Sequence, residues 1–251
     1  RMEDHDHPFH FLTEASVNLA DDRELMEMMV KAGFSKVFVG IETPDEASLI
    51  ECSKTQNNNR DLIGAIQKIQ SFGMEVSAGF IVGFDNDTSS IFQRQIDFIQ
   101  KSGVISAMVG LLNAPKKTRL WERLHSEGRI VDDFDGDNTN FALNFVPVMN
   151  KEELLRGYQH ILSGIYSTRP YFERVKNFLI DFEPKVHNQT KITLQKMKAL
   201  LRSVFILGVV DEGRKYYWKL FFWSLFKKPS VFSLAITYAV YGYHYRKALL
   251  D

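Results

Sequence analysis

A single cysteine, Cys52, stands in this chain of 251 residues. One thiol excludes an internal disulfide framework and fits a reducing compartment, so a cytoplasmic location is expected. It also excludes a multi-thiolate metal site built from these residues alone. Charge of one sign is equally lacking: 31 Lys and Arg balance 31 Asp and Glu. No global field draws such a chain toward nucleic acid, and none is expected as a partner. No apolar run reaches the roughly 20 residues needed to span a bilayer. There is no GxGxxG, P-loop, GxSxG or HExxH motif. The opening RMEDHDHPFHF has no apolar h-region and no small-residue cleavage site, so it is not a signal peptide. It runs almost directly into a first strand, and we expect the chain to be a piece of something longer.

What is present is an alternation of strand and helix over residues 11–130. The first strand reads FLTEASVNL, Phe11 to Leu19, followed by Asp21 and Asp22 as cap and first-turn acids and a helix closed by Gly33. The second is KVFVGIE, Lys36 to Glu42, after which Thr43 and Pro44 open a helix. A loop around Asn57 to Asn59 leads to a helix ending at Gly73. The third strand, EVSAGFIVGF, feeds a helix ending at Gly103. The fourth, Ile105 to Asn113, is followed by a helix ending at Gly128. Strands alternating with helices predict parallel βαβ units with both sheet faces covered. Four units are half a (βα)8 barrel or a good part of an open doubly wound sheet. In both, ligands sit at the carboxyl ends of the strands.

From residue 131 the pattern changes. DDFDGDNTN reads as an acidic linker, and five helical segments follow without intervening strands. This predicts two domains, residues 1–130 and an all-helical subdomain over 131–251. The helix holding Tyr216, Tyr217, Trp218, Phe221, Phe222, Trp223 and Phe226 is apolar nearly all round. Such a helix is buried on most sides or lies in an interface. Lys215, Lys219, Lys227 and Lys228 can snorkel from it, so peripheral contact with a membrane surface is the alternative to burial.

The strand tips hold the candidate site. Glu14, Ser16 and Asn18 fall at alternate positions, so one strand would carry them on one face. Gly40, Glu42 and Thr43 end the second strand. In GFIVGFDNDT, Gly79 and Gly83 interrupt a core strand just where it reaches the rim. Glycines there either admit a flat ligand, with backbone at Ile81 and Val82 available to it, or relieve crowding inside a barrel. Asp85, Leu112, Asn113 and Ala114 complete the rim. Glu42 can accept from hydroxyls or an amino group, or face the dipole of the following helix. His5, His7 and His10 lie beside Asp4 and Asp6, but read better as a solvated end than as a metal site.

In this order the motifs resemble the second half of the radical S-adenosylmethionine (SAM) barrel, and most nearly its branch carrying a cobalamin-binding domain. VFVGIETPDEASL looks like that family's fourth strand and turn. AGFIVGFDNDT resembles its fifth-strand GxIxGxxE motif, with Asp85 where a proline or glycine is usual and Asp87 where the Glu is expected. GLLNAPKKTRLWERLHSEGRI is similar to its sixth strand and loop, and NFVPVMNKEELLRGY to the attached helical tail. The resemblance implies α/β architecture: a partial parallel (βα) barrel of four βα units, then helices. It implies that Ser16, Asn18, Gly40, Glu42, Thr43, Gly79, Ile81, Gly83, Asp85, Leu112 and Asn113 border SAM, with Gly79, Gly83 and the Leu112 to Ala114 backbone near its adenine and Glu42 near its ribose.

The family's CxxxCxxC loop, which holds a [4Fe-4S] cluster, is not in these residues. The cluster and cobalamin are therefore expected only in a longer parent whose expected chemistry is methyl transfer, and the chain alone is expected to be inactive. Its expected partners are the upstream half of its own protein, a small-molecule or lipid substrate, and another copy meeting an exposed barrel edge. The competing reading is a non-catalytic module whose aromatic tail binds a partner or a membrane.

Overall fold

The computed structural model describes residues 9–133, 143–185 and 193–250. Most of the DDFDGDNTN stretch lies outside them, as do His5, His7 and His187.

Four parallel strands form one sheet in sequence order: β1 (Phe11–Ala15), β2 (Phe34–Glu42), β3 (Glu75–Val82) and β4 (Ala107–Leu111). The connecting helices are α1 (Arg23–Ala32), α2 (Glu46–Glu51), α3 (Leu62–Ser71) and α4 (Ser90–Ser102), with α5 (Arg119–Ser126) after β4. Local chemistry sets their ends. The Asp22, Asp45, Asp61 and Thr118 side chains accept backbone N–H bonds at the starts of α1, α2, α3 and α5. Gly33 and Gly103 close α1 and α4 in the left-handed region.

Three expectations are corrected here. β1 stops at Ala15, because Val17 to Asp21 coil into a 3-10 turn that buries Val17, Leu19 and Ala20. The cap of α2 is Asp45; Thr43 is buried two residues earlier, where its hydroxyl accepts from the Asp45 N–H at 3.2 Å. The sheet is covered on one face. Val37, Val39, Ile41, Val76, Ala78, Phe80 and Val82 are buried, in one core with residues of α1, α3 and α4. On the opposite face Leu12, Glu14 and Met108 are exposed, and Phe38, Gly40, Gly79, Ile81 and Gly110 are partly so.

The remainder is helical: α6 (Lys151–Tyr166), α7 (Thr168–Asp181), α8 (Leu194–Phe205) continuing into a π turn (Ile206–Val210), α9 (Arg214–Lys227) and α10 (Phe232–Leu249). α6 closes the β4 edge with tyrosine hydroxyls. Tyr166 donates to the Ala107 carbonyl at 2.6 Å and accepts from the Ala107 N–H at 3.1 Å. Two turns earlier, Tyr158 donates to the Val109 carbonyl at 3.1 Å. Edge groups that another strand would satisfy are thus satisfied by side chains. Arg174 of α7 is fully buried, donating to Gln100 at 2.8 Å and lying over the rings of Tyr166 and Tyr171. Among the described residues no helix is long and apolar enough to cross a membrane.

Candidate functional site

Strand register builds a shelf at the carboxyl end of the open face. Gly40 pairs with Gly79, Gly79 with Met108, and Ile81 with Gly110. The three glycines differ in what occupies their missing side chains. A Cβ on Gly40 would sit 2.5 Å from Glu42 Oε1 and 2.9 Å from Lys54 Nζ. A Cβ on Gly79 would sit 3.1 Å from the tip of the Phe38 ring. A Cβ on Gly110 would meet nothing within 4 Å. The shelf is therefore bare backbone at Gly110, roofed by Phe38 at Gly79 and by an ion pair at Gly40.

That ion pair is the charged feature of the shelf. A bulge between Gly40 and Glu42 shifts the register, and Glu42 adopts φ 67°, left-handed for a residue with a side chain. The distortion turns the Glu42 carboxylate back over Gly40, 2.8 Å from Lys54 Nζ and part-buried. Asn57 fixes the end of β2 from behind, donating to the carbonyls of Gly40 at 3.1 Å and Ile41 at 3.0 Å. Its own Oδ1 is buried without a partner among the described residues.

The β3–α4 turn is held by a carboxylate that faces inward. Asp87 is buried and accepts from the Gly83 N–H at 2.8 Å, the Phe84 N–H at 3.1 Å and the Ser48 hydroxyl at 2.9 Å. Burial pushes its pKa up, against the pull of those three donors. Gly83 has φ 108°, and a Cβ there would meet Leu154 of α6 at 3.2 Å, so this glycine serves the turn and its packing. Two residues earlier, Asp85 does the opposite of Asp87. Arg129 binds it at 2.7 and 2.9 Å and Arg123 at 2.6 Å. The Arg129 hydrogen bonds, with those of Arg123, hold its carboxyl below the usual range. Arg123 also reaches Glu51 of α2 at 3.1 Å, tying α2, the turn and α5 together.

The structure thus brings together Gly40, Glu42, Gly79 and, along the same face, Glu14 and Ile81. Glu14 pairs with Phe38 and points to this face from the outer strand. Ser16 and Asn18 lie beyond β1, exposed around the 3-10 turn rather than in line with Glu14. Ile81 and Val82 carbonyls are already taken, by Gln95 Nε2 at 2.8 Å and the Leu112 N–H at 2.8 Å. Asn113 and Ala114 are pinned by buried Asn144, which exchanges hydrogen bonds of 2.9 and 2.8 Å with the Ala114 backbone. Cys52 is exposed at the end of α2, not buried as its residue type suggests. No group of three His, Cys, Asp or Glu among the described residues can hold a metal.

Lys54, Asn57, Gly110 and Asn144 were not evident as rim residues in the sequence. Gly110 interrupts an apolar strand as Gly79 does, so that signal was available. Lys54, Asn57 and Asn144 come from loops whose return to the rim no periodicity marks.

Residues 118–249 match the family described as a domain of unknown function, DUF4070. The match covers more than half of the chain, and the chain belongs to this family. It is also 36% identical over 247 residues to an uncharacterized methyltransferase of Synechocystis sp., covering 97% of this chain and 46% of that protein. A hopanoid C-2 methylase of Rhodopseudomonas palustris is 36% identical over 220 residues, 82% of this chain and 40% of that protein. An anaerobic magnesium-protoporphyrin IX monomethyl ester cyclase of Rubrivivax gelatinosus is 27% identical over 200 residues, 78% of this chain and 34% of that protein. The chain spans half or less of the length of these curated relatives. Together these matches bear out the resemblance to the C-terminal part of a radical SAM protein.

Proposed function

We propose that the chain forms the adenosyl-side wall of a SAM pocket in a cobalamin-dependent radical SAM protein of methyltransferase type. In this reading the four strands are the second half of a partial (βα) barrel over residues 1–130, and residues 131–251 are its helical C-terminal domain. The observation that carries the reading is the carboxylate-edged glycine shelf on the open sheet face, bare at Gly110, roofed by Phe38 at Gly79 and by Glu42 with Lys54 at Gly40.

The shelf fits an adenosyl group. Backbone at Gly110 has open space above it, which suits a flat base. The Glu42 carboxylate accepts from ribose hydroxyls, and Lys54 orients it through a 2.8 Å hydrogen bond. Asp87 and Asn57 hold the ends of β3 and β2, so the wall is formed before a ligand arrives. SAM, when bound, supplies the methyl and adenosyl groups. The residues present do not fit an iron–sulfur cluster: Cys52 is one exposed thiol, and a cluster needs several. Those thiolates, and a cobalamin site, belong in this reading to parts of the protein outside the 251 residues, and without them the chain is inactive. The named relatives act on a hopanoid and on a porphyrin, so we propose a bulky, largely apolar methyl acceptor and a cytoplasmic protein.

Isothermal titration of SAM into the whole, anaerobically reconstituted protein tests this. Glu42→Gln removes a charge-assisted acceptor and is expected to weaken binding about tenfold or more. Unchanged affinity in that variant would overturn the assignment of Glu42.

A further inference from the structure

The last three helices carry a feature that the proposed function does not use. Leu194, Met197, Leu201 and Phe205 recur every three or four residues along α8, and Val209 continues the row on the π turn. All five are exposed; Leu201 is 64%, Phe205 62% and Val209 57% accessible. The inward side of the same segment is Ser203, Leu207 and Gly208, all buried, with the Gly208 carbonyl accepting from Trp218 Nε1 at 2.9 Å. From Ser203 onward the segment is docked by one face and carries Phe205 and Val209 exposed on the other, while Leu194 to Ala199 are exposed all round. A row of this kind facing water costs solvation and marks a contact surface.

Charge identifies what it contacts. The chain as a whole is neutral, yet residues 193–250 hold ten Lys and Arg against two Asp and Glu, a net charge of +8. On α8 itself Lys196, Lys198 and Arg202 are exposed and there is no acidic residue. None of the three makes an ion pair among the described residues. An apolar ridge flanked by unpaired cations on a helix too polar to span a bilayer is the pattern of an interfacial helix. α9, whose aromatic composition first suggested a membrane, is the poorer candidate. Its Tyr217, Leu220 and Ser224 are buried and its rings stack largely on one another, although Phe222 and Phe226 are exposed.

We propose that α8 and the following π turn dock on an anionic phospholipid surface, with Leu201, Phe205 and Val209 entering the acyl boundary and Lys198 and Arg202 meeting headgroup phosphates. The apolar row separates this surface from a nucleic-acid site, which the cations alone would fit. It lies on elements remote in sequence from Gly40, Glu42 and Gly110.

Vesicle flotation of the 251-residue chain tests it, with vesicles of phosphatidylglycerol in phosphatidylcholine against phosphatidylcholine alone. Binding is expected to favour the anionic vesicles by tenfold or more, and to fall when salt is raised to about 0.5 M. Leu201→Glu/Phe205→Glu, two exposed positions, should lower it at least tenfold with an unchanged circular dichroism melting curve. Lys198→Glu/Arg202→Glu should remove the preference for anionic vesicles. Equal binding to both vesicle types, no vesicle binding, or binding untouched by both variants would overturn the proposal. So would a dimer on size exclusion that the Leu201/Phe205 variant dissolves, or binding to single-stranded RNA that competes with the vesicles and survives that variant.

Discussion

The sheet half and the helical half of this molecule hold their positions by different chemistry. At the sheet rim, single polar side chains fix backbone: Asp87 on Gly83 and Phe84, Asn57 on Gly40 and Ile41, Asn144 on Ala114. In the helical half, large side chains pack on one another. Tyr166, Tyr171 and Tyr245 have ring centroids 4.7–6.4 Å apart around the buried Arg174. A rim held by hydrogen bonds keeps open space beside it, as at Gly110. A bundle held by rings fills its interior and sends its leftover apolar surface outward, as on α8. The two meet where Tyr158 and Tyr166 close the β4 edge.

The sharpest way to break this contrast is at Asp87. Asp87→Ala leaves two backbone N–H groups and a hydroxyl buried without their acceptor, and should cost on the order of 3 kcal/mol in denaturant unfolding. A loss near zero would mean that the turn is set by its glycine alone. Tyr166→Phe tests the seam between the halves. It keeps the ring and removes the hydroxyl from both Ala107 groups, and should cost about 1–3 kcal/mol. A smaller loss would show that ring packing carries the seam.

The two carboxylates of the turn should also pull in opposite directions with pH. Asp85 is held low by Arg129 and Arg123, so its contribution is present above the ordinary carboxylate range, about pH 4, and is lost as pH falls through its depressed value. Asp87 is raised by burial, so its contribution is fullest below about pH 4 and is lost as pH rises through its elevated value. Unfolding free energies measured against pH should therefore lose acid sensitivity in Asp85→Asn. In Asp87→Asn the change should have the other sign. The same pH profile in both variants would contradict the assignment.

Much of the sheet half was legible in the sequence, for physical reasons. Asp22, Gly33, Gly103 and Thr118 act within a few residues of where they stand, and local rules see them. Gly40 and Glu42 were legible as the end of β2, but the bulge that turns Glu42 back over Gly40 was not. The end of β1 was misread because Val17 and Leu19 keep an alternating pattern while the backbone coils into a 3-10 turn. Two faces were expected to be covered because an apolar parallel strand does not announce which of its sides is bare. Lys54, Asn57 and Asn144 reach the rim through loops, and Arg174 finds its partners across 74 residues at Gln100. Such meetings are set by tertiary packing, which leaves no periodic trace.

The contrast between filled and open interiors rests on Gly110, where an added side chain should change stability least. A Cβ there meets nothing, so Gly110→Val should leave the denaturation midpoint nearly unchanged. The same substitution fills the space assigned to the base. SAM titrated into the whole protein should therefore bind Gly110→Val at least about tenfold more weakly than the parent, with folding intact. Equal affinity in the two proteins would contradict the assignment of this shelf to the adenosyl group.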